Sequence, residues 1–95
     1  MAAFDQFPQQ IRINDDDVIC QTFEDEIVLF QLRNQQYYSL CAVGAHTWRL
    51  LADNGDVAQV AERLCADYTG DPAAIRADFS EFLREILSAG LIRAV

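Results

Sequence analysis

The spacing of apolar residues changes at Val43, and that change constrains the fold more than any other feature of the chain. Upstream, apolar residues alternate with polar ones at the period of a strand; downstream, they recur at three and four, the period of a helix. Val18 to Phe23 (VICQTF) and Glu26 to Leu32 (EIVLFQL) are rich in β-branched and aromatic residues, and Glu24-Asp25 between them is a polar break of hairpin length. A second break, Arg33-Asn34-Gln35, leads into Gln36 to Leu40 (QYYSL), which places Tyr38 and Leu40 on one face and Tyr37 and Ser39 on the other. The pattern predicts three antiparallel strands.

Three helices follow. Val43, Thr47, Trp48, Leu50 and Leu51 cluster on one side of the first, which Asn54-Gly55 stops. Asp56 is a natural cap for the second, where Val57, Val60, Ala61, Leu64, Cys65 and Tyr68 recur before Gly70. Asp71-Pro72 sets a cap ahead of a proline at the first helical position, and Ile75, Phe79, Phe82, Leu83, Ile86 and Leu87 form the stripe of the third, up to Gly90. Residues 1–10 show neither period and read as a tail that Phe7 and Pro8 pin to a domain spanning 11–95. Ile11 and Ile13 flank Arg12 in a short alternating stretch, Asp15, Asp16 and Asp17 read as a turn without calcium-loop spacing, and Leu91-Ile92-Arg93 returns to the sheet or covers the end of the core. The order β-β-β-α-α-α is that of an α+β domain of the winged helix-turn-helix type, with Trp48 packed between helices and sheet.

The chemical inventory excludes whole classes of function. A chain of 95 residues builds one core. Its 15 acidic residues face 7 basic ones, every one an arginine, for a net charge of −8, the opposite of a footprint for nucleic acid. Without lysine there is no Schiff base and no phosphate-loop lysine. His46, the single histidine, reads as a surface or partly packed side chain and gives no histidine metal cluster. Cys20, Cys41 and Cys65 form no C-x-x-C pair; reduced thiols are expected, with Cys20 and Cys65 acting as small hydrophobes and Cys41 packing at the strand-to-helix junction. Asp78, Glu81 and Glu85 follow helical spacing beside Arg84 and read as a solvated flank rather than an acid–base pair. No apolar run approaches the ~18 residues of a membrane span. The expectation is a soluble cytoplasmic protein that is not an enzyme, with no catalytic residues, metal or cofactor, and no nucleic-acid or membrane partner.

The stretch Asn34 to Leu51, NQQYYSLCAVGAHTWRLL, joins a polar turn, a Tyr-Tyr-x-Leu strand, a Val-Gly-Ala and a Trp-x-Leu-Leu helix, and in this it resembles the PqqD family. The resemblance runs in register through Ile27-Val28-Leu29-Phe30, Val60 to Tyr68, Asp71-Pro72, Phe82-Leu83 and Gly90-Leu91-Ile92, covering Ile11 to Ile92. It implies a RiPP recognition element: a domain that binds the leader of a ribosomally made precursor peptide and presents it to a leader peptidase, cyclase or other modifying enzyme. It implies too that the leader adds as a strand to the third β-strand and lies against the third helix. The candidate contacts are then Gln36, Tyr37, Tyr38 and Ser39 on the strand, with Asp78, Phe79, Phe82, Glu85 and Ile86 on the helix. Where the family often has Asn after the Leu of this strand, as a helix cap, this chain has Cys41. The long N-terminus is similar to that of standalone leader-binding proteins of lasso-peptide clusters; a peptide chaperone for pyrroloquinoline quinone is the alternative. A DNA-binding winged helix, which the charge opposes, and a homodimer built on the same strand edge are the competing readings.

Overall fold

The computed structural model describes residues 7–95. Its elements are β1 (Ile11–Ile13), β2 (Val18–Thr22), β3 (Glu26–Gln31), β4 (Gln36–Cys41), α1 (Val43–Asp53), α2 (Val57–Asp67), α3 (Pro72–Ser88) and β5 (Ile92–Ala94). The three predicted strands form an antiparallel sheet in the order β2-β3-β4. Ile27 and Leu29 of β3 are buried and join one core with Trp48 and Leu51 of α1, Val60 and Leu64 of α2, and Leu83 of α3. The winged-helix α+β architecture is therefore the one expected.

The second and third helices begin where their caps predict. Asp56 accepts from the Gln59 N–H at 3.0 Å, and Asp71 accepts from the Ala73 N–H at 3.1 Å with Pro72 opening the helix. Each carboxylate satisfies an N–H that has no partner inside its own helix. The first helix starts differently. Its cap is Ala42, not Cys41, and no side chain caps it; Ala42 holds a φ of 51°, which an L-residue rarely adopts.

The ends of the domain form a small second sheet. The Leu91-Ile92-Arg93 segment does not return to the three-stranded sheet; β5 pairs with β1, Ile13 opposite Ile92 and Ile11 opposite Ala94. Ile11 also donates its N–H to Gly55 O at 2.9 Å, and Val57 donates to Gln9 O at 3.1 Å, so the strand bonds on both sides. Phe7 packs against the core beside it. The first helix stops at Asn54-Gly55 as expected, and Gly55 has a steric role besides: a Cβ there would lie 2.0 Å from Ile11 O.

Three packing expectations are corrected, the first being that of Cys41, which is exposed at the strand-to-helix junction rather than packed. Val43 lies outside the buried stripe of α1, exposed at the first turn, while Ala45 and Thr47 are buried. Cys20 is exposed rather than packed, because β2 is an edge strand of which only Val18 is buried.

Candidate functional site

Alternation along β3 decides which way the backbone of β4 points. Phe23 N–H bonds Glu26 O at 2.7 Å and Leu32 N–H bonds Asp17 O at 2.8 Å, so the even-numbered residues of β3 aim their backbone groups at β2. In an antiparallel ladder the neighbours of such residues face the other way. Ile27 and Leu29 therefore bond Leu40 and Tyr38, their register partners on β4. Tyr37 and Ser39 then direct both N–H and C=O away from β3, toward an edge with no strand beside it among the described residues. The strand order leaves β2 as a second edge; the β4 edge opens on a cleft shared with α3.

That cleft has a volume of about 790 Å³ and lies between Tyr37, Ser39 and Leu40 on the strand side and Phe82, Glu85 and Ile86 on the helix side. A second hollow, of about 420 Å³, lies between the helices, with Phe79, Asp78 and Tyr68 in its wall. Phe82 lines both, so they adjoin along α3. The long groove is apolar on its floor and polar at its rim, where Asp78 and Glu85 are exposed.

The residues named from the sequence divide among these features. Tyr37, Tyr38, Ser39, Phe82, Glu85 and Ile86 converge on the first cleft. Asp78 and Phe79 belong to the second. Phe79 and Ile86 are each 3% exposed and act as walls, offering a ring edge or a methyl rather than a whole side chain. Gln36 lines neither; its N–H is taken by Asn34 Oδ1 at 3.0 Å. Tyr37 is 72% exposed with its ring 4.5 Å from that of Phe30, on the opposite face of the sheet from the helices.

Sequence reasoning passed over Leu40, Arg84, Ser88 and Leu91, which also line the first cleft, and Val43, Tyr68 and Ile75, which line the second. Ser88 could have been found, since it lies three residues after Glu85 on one helical face. Tyr68 could not, because its place follows from how α2 meets α3.

One charged cluster stands behind Tyr68. His46 Nε2 lies 2.7 Å from Asp67 Oδ2, and Arg63 Nε lies 3.0 Å from Asp67 Oδ1. The His46 ring meets Tyr68 edge-on at 5.7 Å. Hydrogen bonding from His46 first, and from Arg63 second, holds the Asp67 carboxyl below its ordinary value of 3.8. The cluster ties α1 to the end of α2 and so helps to position Tyr68 at the groove.

The groove offers hydrogen-bonding backbone on one side and apolar walls on the other, which suits an extended peptide rather than a compact metabolite. Comparison with known proteins agrees with that chemistry. The family model for coenzyme PQQ synthesis protein D (PqqD) matches residues 26–92. A solved structure of TbiB1 in complex with the TbiA(β) leader peptide superimposes with a TM-score of 0.80 at 30% identity, covering 88% of this chain and 96% of that one. A lasso peptide synthetase B1 complexed with the leader peptide has the same fold, with a TM-score of 0.76 at 19% identity over 88% of this chain and 98% of that one. No curated protein matches the chain.

Proposed function

The chain belongs to the PqqD family, and from that premise we propose that it binds the leader segment of a ribosomally synthesised precursor peptide and presents it to the enzymes that modify or process it. The observation that carries this reading is the open edge of β4 across the cleft from α3. Tyr37 and Ser39 offer two N–H and two C=O groups in the spacing of a ladder, and a peptide strand satisfies them while every second side chain turns into the cleft. Backbone pairing supplies affinity and is indifferent to sequence. The walls at Leu40, Phe82 and Ile86 supply choice, favouring apolar side chains that fill them.

The similarity to leader-bound TbiB1 supports leader-peptide binding, and the pathway we propose is a lasso-peptide or related natural-product one. The family description supports the alternative of a peptide chaperone in pyrroloquinoline quinone assembly, and the two differ in the partner rather than in the binding chemistry. In both the chain carries its peptide to a peptidase, cyclase or other modifying enzyme and performs no bond chemistry of its own. Incubation with the precursor should leave its mass unchanged until such an enzyme is added.

The decisive experiment titrates fluorescently labelled leader segments of ribosomal precursor peptides, beginning with the TbiA(β) leader, into the wild type and Ser39→Pro. Proline at Ser39 removes an outward donor and leaves the β3–β4 ladder intact. Wild-type binding should be saturable and depend only modestly on salt, because exposed ion pairs add ~0–1 kcal/mol each. The variant should lose at least about tenfold, the equivalent of roughly 1.4 kcal/mol. Equal affinity for the two folded proteins would place the leader elsewhere.

A further inference from the structure

The face of the three-stranded sheet that turns away from the helices is apolar and exposed. Ile19, Phe30 and Tyr37 are register partners across β2, β3 and β4, so their side chains form one row on that face. Ile19 is 56% exposed and Phe23, opposite Glu26 at the end of the hairpin, is 53% exposed. Leu32, just past β3, is 44% exposed, and among the described residues no element packs over the row. Val28 shares this face, as do the polar Gln21 and Ser39, and an exposed row of large apolar side chains of this kind on a small domain marks an interaction surface.

Charge tells what kind of partner fits. Asp15, Asp16 and Asp17 lie at one end of this sheet, and Glu24, Asp25 and Glu26 lie at the other. Arg33 pairs with Asp17 at 3.0 Å, and the Ser39 hydroxyl donates to Glu26, which leaves Asp15, Asp16, Glu24 and Asp25 without a side-chain partner among the described residues. A second copy of this chain would bring acidic ends against acidic ends, at a net charge of −8 per copy. A surface with an apolar centre and a lysine- or arginine-bearing border is complementary in both respects.

We propose that this outer face docks the modifying enzyme to which the leader is handed, through an apolar patch on that enzyme bordered by basic residues. The proposal rests on the leader-binding reading for the identity of its occupant. It also follows from the same geometry: a peptide strand added to β4 widens the sheet from three strands to four, and the peptide side chains that do not enter the cleft extend the row that ends at Tyr37. The enzyme then meets a surface made jointly by carrier and cargo, and binds the loaded carrier more tightly than the empty one.

The test titrates each leader peptidase, cyclase or other modifying enzyme that the gene neighbourhood identifies, purified singly, with three proteins: the wild type, Ile19→Thr/Phe23→Thr and Glu24→Lys/Asp25→Lys. The first variant changes side chains that are more than half exposed; the second changes only a turn and serves if the first does not fold. One enzyme should bind the wild type, more tightly with leader present, and should lose about tenfold or more against either variant. Leader affinity, measured separately by anisotropy, should stay unchanged in both variants, since Ile19 lies on the opposite edge strand and the Glu24-Asp25 turn joins β2 to β3, away from Tyr37 and Ser39. Unchanged enzyme affinity in a folded variant overturns the proposal, as does the failure of every enzyme to bind. A wild type that sediments as a dimer while Ile19→Thr/Phe23→Thr sediments as a monomer overturns it in favour of a second copy. Loss of leader binding in Ser39→Pro with these results unchanged bears on the leader site alone.

Discussion

At the scale of single residues, the places where the chain departs from simple rules are junctions. Ala42 takes a φ of 51° between β4 and α1, a conformation that costs an L-residue ~1–3 kcal/mol and glycine little. Ala42→Gly should therefore raise stability by roughly 1 kcal/mol, read as an upward shift in denaturation midpoint at unchanged slope. Gly90, at a φ of 75°, shows the converse: its carbonyl accepts from Asn14 at 2.7 Å and Gln31 at 3.0 Å, and an added Cβ would meet the Gln31 amide at 2.8 Å. Asp67 sets a pH dependence. Its depressed pKa means that its pairing stabilises the fold above the ordinary carboxylate range and is lost as pH falls through the lowered value. Followed by carbon NMR, the Asp67 carboxyl should titrate below 3.8, and in His46→Ala its midpoint should move up. An unchanged midpoint would mean that Arg63 alone accounts for the shift.

At the scale of elements, the helix boundaries were legible because their determinants are local. Asp56 and Asp71 cap from within three residues of the groups they satisfy, and Pro72 supplies its own φ. The start of α1 was legible only as a change of period, since its cap has no side-chain acceptor. The strands were legible as strands, whereas which of their backbone groups remain free was not. That depends on register, and register yields a sharp contrast between neighbours. Tyr38→Pro removes an N–H directed at Leu29 and strands its acceptor, at a cost of ~1–3 kcal/mol. Ser39→Pro removes a donor that points into the cleft and should leave thermal stability within about 0.5 kcal/mol of wild type. If the two variants melt alike, the alternation assigned to β4 is wrong and so is the edge offered to the leader.

At the scale of the whole molecule, Trp48 joins the layers. It is buried among the helices and the sheet, as its place in the stripe of α1 predicted. Truncating a large buried aromatic costs ~3–5 kcal/mol, against a total of ~5–15 kcal/mol for a typical domain. Trp48→Ala should therefore be largely unfolded at ambient temperature or melt far below wild type by circular dichroism; near-native melting would contradict its placement. The β1–β5 ribbon joins the ends of the domain, with Ile11, Leu91 and Ile92 buried where they meet. No helix among the described residues is long and apolar enough to cross a membrane.

What the sequence determined by itself is what short-range physics controls: the period of the apolar residues, the caps at Asp56 and Asp71, the hairpin break at Glu24-Asp25, and a composition too acidic for a nucleic-acid footprint. The Tyr-Tyr-x-Leu strand with its following helix was also enough to mark the family. Only the tertiary structure decided that Ile11–Ile13 would find Ile92–Ala94, that Gly55 must lack a side chain to let Ile11 approach, and that Leu40, Arg84 and Tyr68 would reach the groove. These are meetings between segments distant along the chain, where one strand's hydrogen bonds are completed by another. Local propensity carries no information about which distant segment arrives, because the energy that selects it comes from burying both partners at once.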